Sequence, residues 1–162
     1  MGLVTASSAN FDLPHYNMVI GYYIYDNMDK DVADIRDLLI DKDTRQPRYA
    51  IIEIGGLLSI KGKVVLIPWP ALVKGAMSRM DINCSEEQIM GAPTPLDPLA
   101  PIRAEEEFIH SYFNTEPYWE TDKEEEDVRR KEASGSSDSS QAPKTVDDIP
   151  VEKLTLENNE SD

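Results

Sequence analysis

A mainly β protein is the fold class this sequence predicts: a small antiparallel β-barrel followed by short helices and a disordered acidic tail. Three observations carry the expectation. Residues 19–69 hold three short apolar runs, VIGYYIYD, RYAIIEIGG and KVVLIPW, rich in β-branched and aromatic residues. Clusters of Asp, Asn, Lys and Gly separate them, as tight turns require. No long helical period interrupts the series before residue 85. Short strands of this kind close into a barrel because closure removes exposed edges; a half-open sandwich is the competing arrangement.

Residues 1–17 show no sustained period and read as a flexible N-terminal arm ending near Pro14. The barrel follows over residues 18–92. Val19 to Tyr25 reads as its first strand, ended by the turn Asp26-Asn27-Met28-Asp29-Lys30. In the second run, Ala33 and Ile35 share one face of the pleat while Leu38 and Ile40 share the other parity. Alternation therefore slips by one residue between Ile35 and Leu38, which predicts a β-bulge. Arg48 to Ile54 places Ala50, Ile52 and Ile54 on one face and Tyr49, Ile51 and Glu53 on the other. Gly55, Gly56 and Gly62 bracket a connection into Val64 to Ile67, and the run closes on Pro68-Trp69.

A helical turn is expected after Pro70, then a strand in which Ser78, Met80 and Ile82 alternate with Arg79 and Asp81. Ser85-Glu86-Glu87-Gln88 matches a capping box and starts a short helix over Glu86 to Met90. Residues 93–119 read as one further section. A Pro-rich strap leads into a helix from Arg103 to Phe113, with Phe108, Ile109, Tyr112 and Phe113 as its apolar stripe, and the section ends on an aromatic clasp, Tyr118-Trp119. Residues 120–162 have a composition that predicts disorder, too polar to offset the entropy of ordering. Within them, Val146 to Leu156 is either a short docking motif or a spacer with incidental aliphatics.

Charge excludes several functions. The chain of 162 residues carries a formal charge of −15, and residues 120–162 hold 14 acidic against 6 basic side chains. Such a field repels phosphate backbones, so direct nucleic-acid binding is not expected. One cysteine, Cys84, allows no intramolecular disulfide and no multi-cysteine zinc site. The N-terminal residues lack a basic segment followed by a long apolar one, and no run approaches the roughly 20 apolar residues of a membrane span. The expectation is a soluble, unanchored, cytoplasmic protein.

Catalytic and metal motifs are equally thin. Gly56 to Lys63 has the wrong spacing for a phosphate loop, and Val64 stands where Ser or Thr would hold magnesium. The acidic turn Asp26 to Asp31 offers oxygen ligands but lacks the glycine and terminal glutamate of an EF-hand loop. His15 and His110 are the only histidines, and they stand far apart in sequence, so no triad is built on them. Cys84 continues the parity of Met80 and Ile82 and reads as a buried thiol. The sequence therefore predicts no enzyme, no catalytic residues, no metal site and no cofactor.

The stretch from Ile20-Gly21, through Asp37 to Asp41 (DLLID) and Asp43 to Ala50 (DTRQPRYA), to Ile67-Pro68-Trp69 resembles the PRC-barrel domain. That module is shared by the cytoplasmic part of the photosynthetic reaction centre H subunit and the C-terminal domain of the ribosome maturation factor RimM. The resemblance covers about half the chain and is of the stand-alone bacterial or archaeal type. It implies an assembly or adaptor module with no catalytic residue to transfer. The expected function is binding of a protein partner or self-association. Two alternatives follow from the resemblance alone: an accessory subunit of a membrane-associated electron-transfer or proton-uptake complex, reached peripherally through a partner, and a ribosome-assembly adaptor. Four residues are the candidate partner contacts: Glu53, read either as an outer-rim carboxylate paired with a Lys or Arg or as a buried carboxylate able to relay protons; Trp69 at a barrel corner, read either as core or as a partner anchor; and Tyr118 and Trp119, whose rings close either the barrel's own groove or a second subunit's.

Overall fold

The longest strand, β3 (Asp31–Asp41), organises the sheet. The computed structural model describes residues 2–10, 13–56 and 61–135, and the chain divides into two units, residues 1–123 and 124–162. Along one edge, the first half of β3 pairs antiparallel with β2 (Tyr23–Tyr25) and its second half with β1 (Leu3–Thr5). Its other edge pairs with β4 (Pro47–Ile54), which in turn pairs with β5 (Lys63–Pro68). β7 (Arg79–Ile82) runs parallel to β2, and β6 (Leu72–Lys74) completes the path beside β7. Among the described residues the strand order is β5-β4-β3-β2-β7-β6, with β1 on β3.

This sheet curls into a half-barrel. The register of β3 against β4 shifts between Ile35 and Asp37, where the slipped alternation predicts a bulge. Arg36, the extra residue there, is exposed, while Ile35, Leu38, Leu39 and Ile40 are almost wholly buried. The bulge thus lets one strand bury its apolar side chains on both sides of a bend. Each such side chain contributes roughly 1.5–3 kcal/mol of burial.

Two expectations about the first 25 residues are corrected. The N-terminal arm is not free over its whole length: Leu3, Val4 and Thr5 form β1, Ala6 is fully buried, and the Ala6 N–H donates to the Leu38 carbonyl at 2.8 Å. The physical reason lies in β3, which extends past the end of β2 and leaves an edge that β1 fills. The strand expected from Val19 begins only at Tyr23, because the chain first turns at Gly21, whose φ is +85°. Val19 is fully buried at that turn, so its apolarity reflects burial without strand pairing.

β4 is covered on both faces. Seven of its eight residues are buried. The edge of β5 is protected by the strap: the Thr94 hydroxyl donates to the Val64 carbonyl at 3.0 Å, and the Lys63 ammonium reaches the Met90 and Ala92 carbonyls at 2.7 and 2.5 Å. The helix α1 (Glu86–Met90) forms where expected, whereas the helical turn expected after Pro70 spans Trp69–Ala71 and gives way directly to β6. The α1 capping box is complete: Gln88 N–H donates to Ser85 Oγ at 3.2 Å and Ser85 N–H to Gln88 Oε1 at 2.9 Å.

The helix α2 (Arg103–Tyr112) packs differently from its predicted stripe. Its buried residues are Glu106, Ile109 and His110, continued by Phe113, whereas Phe108 is 64% exposed. Disorder from Glu120 is also corrected for the described part, since α3 runs from Tyr118 to Gly135. Closely spaced Glu, Lys and Arg residues have good helix propensity, which offsets the low apolar content that suggested disorder. Residues 136–162, with the Val146 to Leu156 segment, lie outside the described residues.

Candidate partner-binding site

The space beneath α2 is a polar latch, and it uses the side chains that a reactive site would need. Glu106 is 4% exposed, and its Oε1 accepts hydrogen bonds from the Tyr118 hydroxyl at 2.9 Å and the Tyr49 hydroxyl at 3.2 Å. Burial raises the Glu106 pKa, and the two tyrosine hydroxyls offset part of that rise. Burial and the neighbouring carboxylate also push both phenols well above their usual range, so they act as fixed donors.

Arg48 enters the latch from β4. Its guanidinium makes a two-pronged contact with Asp122 at 2.7 and 3.3 Å and lies 4.5 Å from the Tyr118 ring centroid. Asp41 stands 3.9 Å away. Burial alone would raise the Asp41 pKa, but the Thr44 and Asp43 N–H groups hold it below the usual value. Arg103 stacks 3.7 Å over Trp119. His110 is 1% exposed, with Nδ1 2.8 Å from the Thr115 hydroxyl and rings of Tyr49 and Trp119 at 5.4 and 5.5 Å. Its Nε2 is buried without a partner. Burial, then Arg103, depresses the His110 pKa to about 4, so the imidazole is neutral at neutral pH.

Outside the latch lies a groove of about 530 Å³ between the strap and the outer face of α2. Pro93, Pro95, Ala104, Phe108 and Ile109 line it with Thr94 and Glu105. Leu96 follows directly and is 97% exposed, and Ile102 also stands in solvent. Glu105 fixes the geometry: its two carboxylate oxygens accept the Leu96 N–H at 2.8 Å and the Ile102 N–H at 3.0 Å, which pins the strap to the start of α2. The Leu96 N–H, then that of Ile102, lowers the Glu105 pKa and keeps it charged.

The four sequence candidates are not brought together. Tyr118 turns inward, 8% exposed, and Trp119 is half-buried beneath Arg103, so the clasp closes this chain's own fold. Trp69 is half-buried against the core. Glu53 Oε1 accepts the Gly62 N–H at 2.7 Å, so its carboxylate closes the β4–β5 connection where a Lys or Arg partner was expected. Gly62 is required there: a Cβ would come within 2.6 Å of the Ile54 carbonyl oxygen.

At the acidic turn, Asp26 is saturated by the N–H groups of Lys30, Met28 and Glu86, which lower its pKa. Asp29 pairs with Arg79 at 2.5 Å. Among the described residues no group of three or more metal-ligating side chains converges. Cys84 is half-buried, and burial raises its pKa.

The sequence pattern does not single out Glu106 or the buried role of His110, and it places Phe108 in the core stripe where the structure exposes it. The first two belong to an i, i+3, i+4, i+7 series with Ile109 and Phe113, a helical face that becomes visible only if polar residues are allowed inside.

The fold is a curled half-barrel with most of the latch's polar groups engaged with one another and an apolar groove open alongside. Residues 14–88 match the family model of the PRC-barrel domain, the family that the sequence resembles. Members are in general protein-interaction or assembly modules and in general non-catalytic. No curated protein matches the chain. No helix among the described residues is long and apolar enough to cross a membrane.

Proposed function

We propose that this protein is a non-enzymatic assembly module that holds a protein partner through the face built by the strap and α2. One observation carries the reading: Phe108 and half-buried Pro93 of the groove, with Leu96 and Ile102 beside them, present apolar surface to solvent, whereas Tyr49, Glu106, Tyr118 and Arg48 are engaged with one another. Contiguous exposed apolar surface marks interaction sites. A latch with two tyrosine donors on one carboxylate supports a structural role and leaves no paired nucleophile and base. The partner's place is the cytoplasm, and Trp69 and Glu53 lie outside the contact.

Capture on the immobilised full-length chain tests the reading, with Phe108→Ser and Leu96→Ser introduced together as the control. Both side chains are exposed, so the fold should survive their replacement. The expected result is a stoichiometric protein retained by the native chain and lost from the double variant. A native chain that is strictly monomeric by light scattering and retains no protein would refute it.

A further inference from the structure

We infer that the groove takes a basic amphipathic segment of the partner, a proposal that rests on the protein-binding reading above. Shape and charge both lead there. The apolar lining comes from Pro93 and Pro95 of the strap and from Ala104, Phe108 and Ile109 of α2. It suits a single stripe of apolar side chains from a short helix or extended stretch. Glu105 lines the groove, held charged by the Leu96 and Ile102 N–H groups, and exposed Asp97 follows Leu96 in the strap. Glu107 is the neighbour of Phe108 along α2 and is exposed.

No basic residue lines the groove among the described residues. Arg103 is turned onto Trp119, and Lys63 is drawn onto the Met90 and Ala92 carbonyls. An apolar stripe flanked by Lys or Arg would meet apolar surface and carboxylates together.

The same charges argue against the other occupants. A second copy brings its own formal charge of −15. The chain's residues 136–162, with aliphatics at Val146, Ile149, Val151, Leu154 and Leu156, carry 7 acidic against 2 basic side chains. Either would place acid against acid.

Selection of a displayed random peptide library tests this on the full-length chain, with the Phe108→Ser chain selected in parallel. Sequences enriched on the native chain and weakened about tenfold or more by the substitution should carry net positive charge with apolar residues at i, i+3 or i+4. A synthetic copy of one should bind several-fold more weakly as salt is raised above physiological strength. Phe108-dependent sequences that are neutral or acidic would overturn the inference, as would the absence of any Phe108-dependent sequence. A dimer of the native chain abolished by Phe108→Ser would overturn it in favour of self-association. None of these failures touches the capture experiment, which judges the protein-binding reading by itself.

Discussion

Glu106 is the residue on which the latch converges, and its replacement separates two costs. Glu106→Ala leaves the Tyr49 and Tyr118 hydroxyls buried without an acceptor, so it should destabilise the fold by about 2–4 kcal/mol, whereas Tyr118→Phe should cost about 1 kcal/mol. Denaturant titration of both variants checks the order; equal costs would mean that the carboxylate is not the shared acceptor. His110 gives the pH signature. Its folded pKa is depressed to about 4 from 6.5, so between those values the unfolded chain takes a proton that the folded chain refuses. Its contribution is therefore complete above pH 6.5 and lost as pH falls toward 4, by up to about 3 kcal/mol. Glu106, with a raised pKa, works in the opposite sense, its contribution lost as pH rises from 4.5. Comparison of native and His110→Gln chains isolates the histidine: the native stability should fall more steeply from pH 6.5 to 4, and parallel curves would refute the buried neutral ring.

At the scale of elements, the bulged β3, the β4–β5 pair and the capped α1 were legible because each follows from a local pattern: a parity slip, a two-residue period, a Ser-x-x-Gln box. β1 and the inward face of α2 were not, because both depend on distant partners. Leu3 to Thr5 become a strand only where β3 offers an edge, and Glu106 and His110 go inside only because Tyr49 and Thr115 await them. Asp122 illustrates the same point. It falls in a stretch that composition assigns to a disordered tail, yet it pairs with Arg48, whose side chain is 10% exposed. Asp122→Ala should therefore cost about 2 kcal/mol, and nearly nothing in an Arg48→Met background where no buried guanidinium is left unpaired. Additive costs in that double-mutant cycle would contradict the pairing. The turn between β6 and β7 carries a different liability. Met77 and Ser78 both have positive φ, 53° and 59°, without a glycine. Met77→Asn combined with Ser78→Gly should raise the melting temperature by several degrees, equivalent to about 1 kcal/mol, since those residues favour that turn. Unchanged melting would argue against strain there.

For the whole molecule, acidity and the open groove act together. A formal charge of −15 disfavours self-association and nucleic acid alike, and under the proposed reading it would favour basic surfaces at the apolar groove between the strap and α2. The proposed binding face was the least legible part of the sequence, because Phe108 reads with Ile109, Tyr112 and Phe113 as a core stripe and only the packing of Glu106 and His110 turns it outward. Under the proposed function, partner binding occurs on this face. Hydrogen–deuterium exchange on the full-length chain, alone and with its captured partner, measures that most directly. Partner binding should slow exchange across residues 93–109 and leave the β6–β7 hairpin unchanged; protection of that hairpin with none over residues 93–109 would contradict it.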